Sequence, residues 1–513
     1  MCMLCAQGKL QNHFASRRNF LKGAAATGVA AAGLNLFAAR PAAANDPPAD
    51  TGRPGRRYVI RGGSVMSMDP HWGDFAQGDV LVEGKTILAI GGNVHAAGAM
   101  EIDARGRIVM PGFIDTHHHQ FETALRSFLA DGILINDGTP AGAINYYEYI
   151  LLKFAPVYRP QDVYINELFG SLAQLDDGVT TVHDVSQIHH SPQHSDAAIK
   201  GIMDSGRRAA FGYFESAGAV SGNQYPTDAR RIKRQYFSST DQLVTMIMGG
   251  EIYLPGFQTA WQIGRELGLQ IAAHIVAPFG MRATFDQLAS SNQFRSDNLF
   301  IHMTGMSDMA WQKVKEAGAA VSLAVPIEMN MRHGMPPILK ALSLGIQPSL
   351  SSDVEVTLTA DFFTQMRSTM NLQRALVNQM ILDSQPGNPY PPPPSGTPAL
   401  LTSRDVLRFA TIEGAKDLRL DRKTGSLTPG KEADIILLDA TAINVAPLNH
   451  VPGAVVSLME RTNVETVIVA GKVRKWNGRL LDVDLPRLRR QLEDSRDHLF
   501  RAAGIPQNLF RPN

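Results

Sequence analysis

Val109-Met-Pro-Gly-Phe-Ile-Asp-Thr-His117-His118-His119 is the stretch on which the reading of this chain turns. An apolar run that ends in polar residues is the pattern of a buried strand carrying functional side chains at its end. Side chains alternate along a strand, so His117 and His119 share one face while His118 points away. Two imidazoles on one face begin a site for Zn²⁺ or Fe²⁺, but two do not complete it. Further ligands have to come from other elements.

Working outward, short apolar runs alternate with amphipathic stretches at intervals of roughly 30 residues, the rhythm of a parallel sheet with crossover helices. Eight runs qualify as strands: 108–113, 180–183, 209–213, 244–248, 270–274, 299–302, 319–324 and 347–352. Closed on themselves they form a (β/α)₈ barrel with its site at the C-terminal strand ends. Three of the runs end in further ligand types: His274 in Ile271-Ala-Ala-His, His302 in Leu299-Phe-Ile-His, and Asp353 after Ser349-Leu-Ser-Ser. A hydrogen-bonded rim residue is the bland reading of any one of them, but five in this order point to a metal centre. Flanking the α/β middle are segments of another texture, alternating and broken by Gly turns. Asp79-Val-Leu-Val-Glu-Gly-Lys and Thr86-Ile-Leu-Ala-Ile-Gly lie before it, Ala433-Asp-Ile-Ile-Leu-Leu and Val464-Glu-Thr-Val-Ile-Val-Ala-Gly after it. They predict a small β-sandwich built from both ends of the chain.

With 513 residues, 44% hydrophobic and 19% charged, the chain can fill a large core, which excludes disorder and disulfide scaffolds. A net charge of +1 leaves no basic excess for nucleic acid or an anionic membrane. The two cysteines, Cys2 and Cys5, lie in the leader, so a metal has to sit on His, Asp or Glu. Ser16-Arg-Arg-Asn-Phe-Leu-Lys22, the small-residue run to Ala39 and Ala42-Ala-Ala44 form a secretory signal too short to span a bilayer. It resembles the twin-arginine export signal, which implies the twin-arginine machinery as a partner and a periplasmic address, or secretion where no outer membrane exists. The expected organisation is signal 1–44, linker 45–56, β-sandwich 57–109 and 421–482, barrel 110–420, and a helical tail 483–513.

Taken together, Val109 to His119, His274, His302, Asp353 and the tail Thr424-Gly-Ser-Leu-Thr-Pro-Gly-Lys-Glu-Ala-Asp-Ile-Ile-Leu-Leu-Asp resemble the amidohydrolase superfamily. The order His-x-His, His, His, Asp is similar to the branch holding cytosine and guanine deaminases and triazine hydrolases. That resemblance implies one divalent ion per chain, Zn²⁺ or Fe²⁺, on His117, His119, His274 and Asp353. It also implies catalytic roles for His302 and Asp353, a small-molecule substrate and a homo-oligomer. Binuclear branches bridge two ions with a lysine after strand four; here Gly249-Gly250-Glu251 stands there. A bound divalent ion acidifies water. Asp353 is then placed to move the proton to a leaving group, and His302 to orient the water or stabilise an oxyanion.

The chain departs from that branch at one place. Its ring deaminases carry His-x-x-Glu after strand five, whereas this chain has His274-Ile-Val-Ala277. Glu122 and Glu328 are the carboxylates expected to replace that acid at the substrate, with His333 and His183 as further substrate contacts. The competing reading makes the carboxylates solvated and His183 a packed rim residue. His189, His190 and His194 read as a solvated loop. Met329, Met331 and Met335 suggest an adaptable apolar wall, and the Pro-rich 385–398 an extended loop. Hydrolytic deamination of an amino-substituted heterocycle is the function expected first. Hydrolysis of an amide, urea or carbamate, or dehalogenation of a triazine-like ring, comes second. A metal-free periplasmic binding protein is the rival from another class.

Overall fold

The computed structural model describes residues 46–218 and 223–510. The expected signal 1–44 lies outside the described residues. Alternation in the amino-terminal segment produces Arg57–Met66 (β1), Asp74–Glu83 (β2), Thr86–Gly91 (β3), Met100–Asp103 (β4) and Arg107–Pro111 (β5). The barrel follows: Phe113–His118 (β6), Val179–Ser186 (β7), Arg208–Tyr213 (β8), Val244–Gly249 (β9), Ile271–Val276 (β10), Asn298–Thr304 (β11), Ala320–Leu323 (β12) and Ser349–Leu350 (β13). These eight run in parallel, each beside the next. A parallel bridge between His118 and Asp353 brings the last back to the first. Their near-continuous burial explains why they read as short apolar runs.

The first expected strand, 108–113, is divided. β5 belongs to the outer sheet and the barrel begins at Phe113. Gly112 makes the step because a Cβ there would sit 2.2 Å from the Thr180 side chain. Its N–H donates to the Asp434 carbonyl at 3.1 Å.

Ile435–Asp439 (β14), Val464–Val469 (β15), Lys472–Trp476 (β16) and Arg479–Leu480 (β17) complete the outer sheet. Both chain ends contribute to this single nine-stranded sheet, joined where β14 runs antiparallel to β5 with Leu437 opposite Val109. It encloses its own apolar cluster, including Tyr58, Val80, Ile435 and Ile468. A buried ion pair ties it to the barrel: Arg208 at the start of β8 reaches Asp434 at 2.6 Å and Glu432 at 2.5 Å. The helix Leu485–Ala502 packs Leu488 against Leu168 and Leu172 of the helix Pro160–Asp176. Among the described residues no helix is long and apolar enough to cross a membrane.

Candidate metal centre

β6 delivers His117, and the residue that follows the strand, His119, joins it in the barrel interior. Their Nε2 atoms lie 3.0 Å apart, and His274 from β10 brings its Nε2 within 3.0 Å of His117 Nε2. Asp353 Oδ1 stands 3.6 Å from both His117 Nε2 and His119 Nε2. Asp115 explains why the turn after β13 reaches that point. It accepts the backbone N–H of His117 and Ser352 on Oδ1 and the Ser352 hydroxyl and Gln174 amide on Oδ2, joining β6 to the residue before Asp353. Burial pushes the Asp115 carboxyl up to about 6.

The electrostatics suit a cation. Burial and neighbouring imidazoles hold His117 and His119 well below the usual histidine range, so both stay neutral, the form that ligates. His274 shifts upward: burial opposes its charge, but Glu251 accepts from Nδ1 at 2.6 Å and outweighs it. That contact leaves Nε2 facing the other rings, the arrangement in which a carboxylate orients a ligating imidazole. Three inward ring nitrogens and a carboxylate oxygen in a buried pocket fit a divalent ion.

His302 from β11 is held the same way. Glu328 Oε1 lies 3.1 Å from its Nδ1, and His302 Nε2 is 3.5 Å from Asp353 Oδ2, an oxygen with no hydrogen-bond partner. Burial raises the Asp353 carboxyl to about 7, against the opposing effect of His274. His302 and Asp353 both occupy the left-handed backbone region, with φ of 69° and 63°. Non-glycine residues are held there at about 1–3 kcal/mol each, a strain that concentrates at functional sites.

Beside the cluster lies a cavity walled by Leu134, Val276, Phe279 and Met331, with Tyr146, Gln187, Tyr253 and His333 among them. Of the four residues expected at the substrate, only His333 lines it, edge-on to His302 with ring centroids 4.8 Å apart. The other three lie one layer back. Glu122 bonds Tyr146, Glu328 bonds His302 and the Ala324 N–H, and His183 bonds the Thr116 carbonyl beside Phe214. Both glutamates are buried, not solvated, and burial lifts each carboxyl well above its usual range. His189 and His190 are likewise buried, not solvated, each with both ring nitrogens bonded: His189 to the nearby Ser186 carbonyl and Ser195 hydroxyl, His190 to the Ala155 carbonyl and Ser216 hydroxyl, which lie far from it along the chain. Only Met331 of the three methionines joins the wall; Met329 and Met335 are exposed, and nothing in 385–398 lines the cavity.

Glu251, Glu215, Tyr146, Gln187 and Tyr253 were not anticipated. Glu251 had a signal, standing two residues past β9 at a strand end, the position where binuclear branches place a lysine. Gln187 and Glu215 likewise stand one and two residues past β7 and β8, Tyr146 opens the helical segment Tyr146–Phe154, and Tyr253 lies in a turn.

The sequence profile of the Amidohydrolase family matches residues 108–474. The chain belongs to the amidohydrolase family. As an amidohydrolase it is an enzyme, a hydrolase acting on carbon–nitrogen bonds other than peptide bonds. This amidohydrolase is 26% identical over 442 residues to a 5'-deoxyadenosine deaminase of Methanosarcina acetivorans, covering 83% of this chain and 94% of that protein. It is 26% identical over 445 residues to a 5-methylthioadenosine/S-adenosylhomocysteine deaminase of Symbiobacterium thermophilum, covering 81% and 93%. Among solved structures it is similar to an adenosine deaminase from Xanthomonas campestris with bound zinc, with TM-score 0.73, 21% identity and 88% and 99% of the two chains covered. It also resembles the atrazine chlorohydrolase of Arthrobacter aurescens TC1 complexed with zinc, with TM-score 0.69, 19% identity and coverage of 86% and 100%.

Proposed function

We propose that this amidohydrolase is an exported metal-dependent deaminase of a small amino-substituted nitrogen heterocycle. It holds one divalent ion per chain, Zn²⁺ or Fe²⁺, on His117, His119, His274 and Asp353. The observation that carries the reading is the convergence of three imidazole Nε2 atoms and Asp353 Oδ1 at the floor of an apolar cavity. Deaminase relatives over most of the chain support the heterocycle, and the leader in residues 16–44 supports export.

Overall, ring C–NH₂ and water become ring C=O, as the lactam, and ammonia. When bound, the ion supplies Lewis acidity that brings the pKa of water towards neutrality. Asp353, whose Oδ2 has no hydrogen-bond partner, takes a proton from water and returns it to the departing nitrogen. His302, its Nδ1 held by Glu328, presents Nε2 beside that oxygen, where it orients the nucleophile and meets the charge developing on the attacked carbon's substituents. The apolar walls exclude bulk water.

Ala277 favours a second reading. With no glutamate three residues after His274, hydrolysis of an exocyclic urea, carbamate or amide needs no acid for a ring nitrogen. The two are separated by assaying zinc-loaded protein, before and after chelation, for ammonia release from 5'-deoxyadenosine, 5-methylthioadenosine and neutral aminated heterocycles, and for amine release from N-alkyl carbamates, ureas and amides. Chelator-sensitive ammonia release supports deamination. Chelator-sensitive turnover without ammonia supports the second reading, and turnover that survives full metal removal overturns both.

A further inference from the structure

His333 lines the cavity but takes no part in the centre on His117, His119, His274 and Asp353. It is 5% exposed, and neither of its ring nitrogens has a hydrogen-bond partner. Buried polar groups are bonded as a rule, so an imidazole with both nitrogens unpaired calls for an explanation.

Its surroundings supply one. His333 stands edge-on to His302, with ring centroids 4.8 Å apart and planes at 89°. His117 meets His119 and His274 in the same way, at 4.8 and 4.7 Å and at 80° and 76°, and in both pairs the Nε2 atoms converge at 3.0 Å. A ring nitrogen of His302, one of His333 and a carboxylate oxygen of Asp353 all lie within 4.8 Å of one another, a span that also holds His117, His119 and Asp353.

Asp353 divides its oxygens between the two sets. Oδ1 faces His117 and His119, both at 3.6 Å, whereas Oδ2 faces His302 Nε2 at 3.5 Å and has no hydrogen-bond partner. Ligands about 2.0–2.1 Å from a tetrahedral Zn²⁺ stand about 3.4 Å apart, close to that spacing. Glu328 behind His302 Nδ1 repeats Glu251 behind His274 Nδ1, the carboxyl that orients a ligating ring. His302 also converges with His117 and His274, so it stands between the two sets.

We propose that His302, His333 and Asp353 Oδ2 form a second site for a divalent ion such as Zn²⁺, filled only after the centre on His117, His119, His274 and Asp353 Oδ1. The proposal rests on that centre, with which it shares the Asp353 carboxylate. Its distinguishing ligand comes from the turn after the helix Val325–Asn330 and not from a bridging lysine. A second cation beside the first meets repulsion, so it binds more weakly. With both ions held, His302 Nε2 and Asp353 Oδ2 are ligands and are withdrawn from the roles proposed for them in turnover.

Equilibrium dialysis of the protein against buffered free Zn²⁺, with zinc counted per chain, tests this. Wild type is expected to take up one zinc and then a second at free zinc at least about tenfold higher. His333→Phe, which keeps the bulk of a ring in an apolar wall, should weaken the second step at least about tenfold and leave the first unchanged. His333→Ala carries the test if His333→Phe does not fold. Cobalt gives an independent readout: exchange through a shared Asp353 should cut the EPR intensity per Co²⁺ as the second equivalent enters wild type. No second zinc in wild type at about a thousand times the free zinc of the first step, a second zinc that the His333 variants retain, or EPR intensity proportional to cobalt throughout would overturn the second site. Each of these leaves the first zinc in place, whereas absence of the first step would strike the deaminase centre and the second site with it.

Discussion

Asp353 is locked between His117 and His119 by backbone as well as side chain: its N–H donates to the His117 carbonyl at 3.0 Å, and its carbonyl accepts the His119 N–H at 2.9 Å. A parallel bridge between His118 and Asp353 closes the barrel at the same point, so the contact that joins its last strand to its first also brings Asp353 to His117 and His119. Asp353→Asn retains the backbone contacts and removes the carboxylate. Turnover is expected to fall about 10²–10⁴-fold while the melting temperature stays close to wild type. Full activity in this variant would remove Asp353 from proton transfer.

Glu251 sets the orientation of His274 through Nδ1. Glu251→Ala should lower metal affinity about 10–100-fold, and Glu251→Gln, which keeps an acceptor, should lower it less. Competition against a chromophoric zinc chelator measures both, and equal affinities in the two variants would contradict the role.

Glu328 acts through His302, so the two should not be additive. Glu328→Ala is expected to reduce kcat about tenfold or more with metal content unchanged, and the double variant with His302→Ala to be no slower than His302→Ala alone. Additive losses would mean that Glu328 works elsewhere.

Asp177 gives a prediction for stability against pH. Burial raises its carboxyl to about 7, against the pull of Arg461. The folded value exceeds the ordinary 3.8, so its contribution to stability is full below about pH 4 and lost as pH rises through about 7. Asp177→Asn is neutral throughout. It should match wild type near pH 4 and exceed it near pH 8, by at most about 4 kcal/mol. Urea titrations across that range decide it, since a gap independent of pH excludes the buried carboxyl as its source.

Export is checked by cell fractionation. Replacing Arg17 and Arg18 with lysine should hold the protein in the cytoplasm, whereas an unchanged distribution would assign export to another route.

The candidate ligands were legible because a strand that ends at a barrel mouth carries its polar residues in a few consecutive positions. His117 and His119 follow from alternation alone, and His274, His302 and Asp353 from polar residues closing apolar runs. The boundary at Gly112 was not legible, since β5 and β6 are both apolar and only contact with Thr180 and Asp434 separates them. Glu122 and Glu328 were found as carboxylates near the site, but their direction was not.

By itself, then, the sequence determined the barrel, the outer sheet drawn from both chain ends, and the five residues that meet at the barrel mouth. Periodicity and strand-end chemistry are local properties written in neighbouring residues. Tertiary structure alone decided which carboxyl stands behind which side chain: Glu251 behind His274, Glu328 behind His302, Glu215 behind Tyr253 and Gln187, Glu122 behind Tyr146. Each is a contact across elements or through a loop. A hydrogen bond depends on where two side chains arrive in space, and spacing along the chain does not encode that.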